Sequence, residues 1–144
     1  YVPLETLLKE CDVITLHTNA TAENHHLIDA KAIETMKPGA VIINTARGKL
    51  IDSDVLIAGL ESGKLGGAAL DVLENENGLY YYNRMGDVIP NPELAALRSM
   101  PNVILTDHTA FYTEEDVESM VRGVLESADA FAKGQPTRHD VTNL

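Results

Sequence analysis

The run Ala40-Val41-Ile42-Ile43-Asn44, continuing into Thr45-Ala46-Arg47-Gly48, limits the possible fold more than any other stretch of the chain. It has strand length and is rich in β-branched residues. Lys37-Pro38-Gly39 stands before it and Gly48 after it, which favours a central strand over a short helix. Strands inside a parallel sheet are apolar on both faces, so this one is expected to be covered on both. In open α/β sheets ligands bind beyond the carboxyl ends of the strands. Arg47 therefore stands where an anionic ligand would sit. A lone arginine is by default a solvated surface charge, and only its company further along the chain gives it weight.

The surrounding pattern alternates helical and extended segments. Pro3 suits a first helical turn, with Leu4, Leu7 and Leu8 at helical spacing, and Asp12-Val13-Ile14-Thr15-Leu16 reads as a strand. After a polar loop over 18–24, Asp29 can cap a short helix through Ala32, Ile33 and Met36 that Pro38 and Gly39 stop. Asp52 can cap a helix with Val55, Leu56 and Leu60 inward, ending near Gly63. Gly66 to Val72 reads as the next strand. Repeated βα units with short connections indicate a right-handed, doubly wound parallel α/β sheet.

Regularity breaks between Leu73 and Met100, a segment with an acidic start, Tyr80-Tyr81-Tyr82, and Pro90 and Pro92. Long loops of this kind are often functional, and the tyrosines are read as packing the loop down. Val103-Ile104-Leu105 is the last strand. Thr113 then caps a long helix whose acidic first turn suits the dipole. Val117, Met120, Val121, Val124, Ala128 and Phe131 form its apolar stripe, and Gly134 closes it.

The 144 residues make about one domain. A net charge of -11 excludes a basic nucleic-acid or anionic-membrane surface, and no apolar run reaches bilayer-spanning length. Cys11 is the single cysteine, which fits a reducing cytoplasm. It is read as a buried, inert thiol.

Four side chains at strand ends can carry chemistry: Arg47, Asp71, Glu76 and His108. One cation, one carboxylate and one imidazole delivered to one sheet edge suit proton transfer to an anionic substrate. Glu74 and Glu76 are each, taken alone, solvated charges. His17, His25, His26 and His139 are read as surface or hydrogen-bonded structural histidines.

Asn44-Thr45-Ala46-Arg47-Gly48, Gly67-Ala68-Ala69-Leu70-Asp71-Val72 with Glu74 and Glu76, and Asn102 to Ala110 around His108 resemble the signatures of the D-isomer-specific 2-hydroxyacid dehydrogenases. The tyrosine-bearing excursion and His108-Thr109-Ala110-Phe111-Tyr112-Thr113 are most similar to the D-lactate dehydrogenase branch. The resemblance implies that Arg47 binds the substrate carboxylate and keto oxygen, His108 is the acid/base and Glu76 its partner, with Glu74 a bystander. It also implies that Asp71 contacts the nicotinamide carboxamide of NAD, that Thr45 and Ala46 line the cofactor beside Arg47 and His108, and that Phe111 shapes the substrate pocket. No metal ligand is among them. The implied partners are a small 2-keto or 2-hydroxy acid and a second copy of the protein, in the cytoplasm.

Two positions depart from the family's pattern, Asp107 before the histidine and Asn19 on the adenine side, and Asp107 adds a charge beside His108. A larger departure is that no Gly-x-Gly-x-x-Gly occurs in the sequence, although the family uses that turn to hold the pyrophosphate at a helix N-terminus. The expectation is a Rossmann-like fragment. Residues 1–110 would form the C-terminal half of the NAD-binding domain, and 111–144 the helix and tail returning toward a substrate domain. Its edge strand and the stripe of the last helix should then be exposed or covered by another copy. The implied reaction is pyruvate to D-lactate. The alternatives are a bulkier D-2-hydroxy acid and an NAD(H)-sensing scaffold of the related corepressor type.

Overall fold

The structure, a computed structural model, describes residues 1–137; the reading of His139 lies outside them. The chain divides into two compact units, Tyr1–His108 and Thr109–Leu144. The first contains helix α1 (Leu4–Glu10), strand β1 (Val13–Leu16), helix α2 (Ala30–Thr35) and strand β2 (Ala40–Asn44). A short 3-10 turn (Gly48–Leu50), helix α3 (Ser53–Glu61), strand β3 (Leu65–Leu70), helix α4 (Pro92–Ser99) and strand β4 (Val103–Leu105) follow. The second unit contains helix α5 (Glu114–Ala132). Among the described residues no helix is long and apolar enough to cross a membrane.

Short polar side chains set the helix starts. Asp29 accepts from the Ala32 N–H at 2.8 Å and Asp52 from Val55 at 3.2 Å, which begins α2 and α3. Asn91 accepts from Leu94 at 2.7 Å to begin α4, and Thr113 from Asp116 at 3.1 Å to begin α5. Each such cap is worth about 1 kcal/mol.

The four strands are parallel, in the order β1-β2-β3-β4. The register aligns Ile14 with Ile42 and Ala68, and Leu16 with Asn44 and Leu70. All six are buried, beneath Leu8, Ile33, Leu56, Leu60 and Leu97 from the four helices. The helices pack in sequence, α1 on α2, α2 on α3 and α3 on α4.

One expectation is corrected here. The strand β2 is interior, but it is not covered on both faces. Val41 and Ile43 are only half-buried, and Val13 and Ile104 at the two sheet edges are exposed. The reason is that α1 to α4 all pack on the face that carries Ile42. Cys11 is likewise half-buried, packed at the margin of the core where it ends α1. In α5 no residue is buried, so its stripe at Met120, Val121, Val124 and Phe131 is exposed, in keeping with the expectation.

Candidate functional site

The carboxyl ends of β2, β3 and β4 are tied to one another by the residues that leave them. Asn44, 1 % exposed, ends β2 in the row of Leu16 and Leu70, an apolar environment in which an amide must be satisfied. Its side chain does this locally: Nδ2 donates to the Arg47 carbonyl at 3.0 Å and Oδ1 accepts from the Ala46 N–H at 3.0 Å. The loop Thr45-Ala46-Arg47 is therefore wrapped around a buried amide. The Asn44 carbonyl accepts from the Asp71 N–H at 2.9 Å, which joins this loop to the end of β3.

Asp71, also buried, accepts a hydrogen bond from the Thr106 hydroxyl, and the Thr106 N–H donates to Leu70 O at 3.0 Å. Thus β4 is locked to β3 at the point where the chain turns toward His108. Neither Asn44 nor Thr106 is among the site residues expected from the sequence. For Asn44 the signal was present, an amide closing an otherwise apolar strand.

Arg47 is exposed, and its Nη1 donates to the Ala46 carbonyl at 2.7 Å. Among the described residues it pairs with no carboxylate. Gly48 fixes the approach of its loop to the turn after β3. A Cβ there would lie 2.0 Å from Leu73 O and 2.4 Å from the Glu74 N, both backbone atoms. Only glycine permits that contact.

The turn after β3 sends its two carboxylates in different directions. Glu76 Oε1 meets His108 Nδ1 at 2.9 Å, while its Oε2 accepts from the Leu73 N–H at 2.9 Å. Glu74 Oε1 instead meets His26 Nε2 at 2.6 Å. Neither is a solvated charge: the Glu74 and Glu76 side chains are 19 % and 18 % exposed. His26 is hydrogen-bonded as expected from the sequence, and His17 likewise bonds to Thr15 Oγ1 at 2.8 Å.

His108 has a φ of 54°, the left-handed region that a non-glycine residue enters at a cost of about 1–3 kcal/mol. Its carbonyl accepts from the Tyr81 hydroxyl, and its Nδ1 is held by Glu76. The other ring nitrogen, Nε2, has no partner among the described residues. The excess charge expected from Asp107 is taken up elsewhere, because Asp107 pairs with Arg98 at 3.1 Å.

The three tyrosines differ. Tyr81 and Tyr82 are exposed and do not pack the loop down as expected; Tyr81 braces the His108 backbone, and Arg84 lies over the Tyr82 ring at 5.9 Å. Tyr80 is half-buried, and its buried hydroxyl has no hydrogen-bond partner among the described residues. Burial, then Asp107 and Glu76, push the Tyr80 phenol above its ordinary pKa. Desolvation followed by Asp71 and Glu76 does the same for Tyr81. Both carboxylates of the site are thus felt at one phenol.

The first unit accordingly carries Thr45, Ala46, Arg47, Asp71, Glu76 and His108 at the carboxyl ends of three adjacent strands. Strand spacing puts β2 and β4 about 10 Å apart with β3 between them. Arg47 and His108 therefore flank the end of β3 from opposite sides. Phe111 belongs to the second unit, where it meets the Tyr112 ring edge-on at 6.1 Å.

Comparison with known proteins places the fold in a family. The chain is 47 % identical over 131 residues to an aromatic 2-oxoacid reductase of Clostridium sporogenes, covering 91 % of the chain and 40 % of that protein. It therefore spans about two fifths of the length of the curated relatives it matches. Among solved structures, a D-lactate dehydrogenase of Treponema pallidum superposes with a TM-score of 0.94 at 40 % identity, over 99 % of the chain and 43 % of its own. The NAD-complexed D-isomer specific 2-hydroxyacid dehydrogenase of Lactobacillus delbrueckii ssp. bulgaricus does so with a TM-score of 0.92 at 37 % identity, over 98 % and 43 %. The sequence profile described as "D-isomer specific 2-hydroxyacid dehydrogenase, NAD binding domain" matches residues 1–110. With this match over residues 1–110 and a parallel sheet that superposes on those structures, the chain belongs to the D-isomer specific 2-hydroxyacid dehydrogenases.

Proposed function

We propose that the protein containing this chain reduces a small 2-keto acid to the D-2-hydroxy acid with NADH, with pyruvate and D-lactate as the pair. In this reading residues 1–110 supply the nicotinamide half of the NAD-binding domain, and 111–144 a helix and tail leading toward a substrate domain. The observation that carries the proposal is the His108–Glu76 pair, in which one ring nitrogen is held at 2.9 Å and the other has no partner among the described residues. That is the arrangement of a proton donor and acceptor whose orientation is fixed from behind.

The residues fit a nicotinamide. Asp71 is a buried carboxylate at a strand end, where an amide group could be bound, and Thr45 and Ala46 form an accessible rim at the end of β2. The cofactor, when bound, supplies the hydride. The chain supplies the rest. Arg47 holds the substrate carboxylate with its planar fork and draws charge from the keto oxygen. In reduction His108 Nε2 gives its proton to that oxygen, and in oxidation it takes the hydroxyl proton. Glu76 accepts from Nδ1–H throughout, which stabilises the imidazolium and keeps Nε2 directed outward.

The two acids to compare come from relatives named for D-lactate and for aromatic 2-oxo acids. Steady-state NADH oxidation by the whole protein, with pyruvate and with phenylpyruvate, tests the reading. The expected result is turnover of both with the higher kcat/KM for pyruvate, and a preference for phenylpyruvate would reassign the substrate. NADH binding without reduction of either acid would overturn the enzyme assignment in favour of a nucleotide-sensing scaffold.

A further inference from the structure

Outside the strand-end site, the turn before α2 gathers a second cluster of ligating groups. We propose that His25, His26 and Glu74 form a binding site for a divalent transition-metal ion of the zinc type, with Asp52 as the outer partner of His26.

The backbone makes the cluster. On extended chain, neighbouring side chains point to opposite faces. His26 instead has a φ of 53°, which folds the two imidazoles onto the same side, with stacked ring centroids 3.9 Å apart and planes 29° from parallel. Both Nε2 atoms then converge on one carboxylate oxygen. Glu74 Oε1 lies 2.6 Å from His26 Nε2 and 3.6 Å from His25 Nε2. The three ligand atoms lie within 4.8 Å of one another. Zinc at about 2.0–2.1 Å from each of its ligands places tetrahedral donors about 3.3–3.5 Å apart. The His25 contact is already near that spacing, and the shorter contact lengthens once the proton between His26 and Glu74 is replaced by the ion.

Loss of that proton requires His26 to carry its hydrogen on Nδ1, and Asp52 Oδ2 stands 3.5 Å from that atom. A carboxylate behind a ligating imidazole fixes the tautomer and raises its basicity. The frame is firm. The His26 N–H donates to Lys49 O at 2.9 Å, the Ile28 N–H donates to Leu50 O at 3.0 Å, and Ile28 and Leu50 are fully buried. Asp52 is held as the cap of α3 through its other oxygen. Two imidazoles and one carboxylate suit zinc over calcium or magnesium, which take oxygen ligands. The His25 side chain is 48 % exposed, which leaves an open side for water or a ligand to complete the coordination.

The test is calorimetric titration of the metal-free whole protein with zinc chloride at neutral pH, with cobalt(II) absorption as a second readout of tetrahedral nitrogen and oxygen ligation. One saturable site of micromolar affinity is expected, with proton release on binding. His25→Ala removes a ligand that makes no fold-defining contact and should weaken zinc by more than about tenfold, as should Glu74→Gln. Asp52→Asn retains the helix cap and should weaken it by about tenfold through His26 alone. Thermal unfolding without metal verifies that each variant is folded. Affinity undiminished in His25→Ala, or no saturation by millimolar zinc, overturns the proposal.

Discussion

Replacing Glu76 by glutamine tests the proposed acid/base pair most sharply, because both of its oxygens face donors. Oε2 accepts from the Leu73 N–H and Oε1 from His108 Nδ1, each at 2.9 Å. Glutamine has only one acceptor to share between them. With its oxygen toward Leu73, the amide NH₂ faces Nδ1, and His108 must carry its proton on Nε2, where it can no longer accept one. With its oxygen toward His108, two N–H groups oppose each other at Leu73, at a cost of about 1–2 kcal/mol. The lost charge adds to this. Unit charges about 4 Å apart at an effective dielectric of about 20 interact by about 4 kcal/mol. With side chains 18 % and 30 % exposed, screening reduces that to about 2 kcal/mol. The sum, about 3–4 kcal/mol, corresponds to a loss of about 10²–10³ in kcat/KM. D-lactate oxidation, which needs Nε2 as acceptor, should fall further than pyruvate reduction. Both directions are measured by NADH absorbance in wild type, Glu76→Gln and Glu74→Gln, with zinc chelated. Glu74 contacts His26 rather than His108, so its variant should stay within about threefold in kcat/KM, about 0.6 kcal/mol. Equal losses in the two variants, or a Glu76→Gln enzyme within threefold of wild type, would refute the pairing.

Arg47→Lys keeps the charge but loses the planar fork, so kcat/KM for pyruvate should drop about a hundredfold while the NADH dissociation constant, measured by fluorescence titration, stays within about twofold. Gly48→Ala drives a methyl group into the Leu73 carbonyl, 2.0 Å away; the loop must retreat by more than 1 Å on the scale of ordinary contacts, which costs about 2 kcal/mol or more and displaces Arg47. Urea unfolding should show the lost stability and steady-state kinetics a raised KM. Tyr80→Phe removes a buried hydroxyl that has no partner among the described residues, so it should be neutral or stabilising by up to about 1 kcal/mol near neutral pH. The sign at high pH follows from the raised Tyr80 phenol. The unfolded chain ionises first, near pH 10, so wild-type stability falls from there toward the folded-state value. Tyr80→Phe should lack that part of the fall in urea titrations at pH 8 and pH 11.

Much of the fold is legible in the sequence because it is written in local terms. The β-branched run at Ala40–Asn44, the caps Asp29, Asp52 and Thr113, and the stops at Gly39 and Gly63 each act within a turn of chain, and each element appears where they place it. Repetition of those units dictates a parallel sheet, and strand-end residues of a parallel sheet share an edge. That is why Arg47, Asp71, Glu76 and His108 can be singled out from order and spacing with no coordinates. What the tertiary structure alone decides involves choices between chemically equal groups and between the faces of a sheet. Glu74 and Glu76 are indistinguishable as carboxylates in one loop; only the path of the turn sends one to His26 and the other to His108. The stacking of His25 on His26 follows from a single left-handed φ that no local pattern specifies. The half-open face of β2 depends on where four helices pack. Local signals set the elements through hydrogen bonds a few residues long, whereas partners such as Glu76 and His108, 32 residues apart, meet only once the sheet has brought its strand ends together.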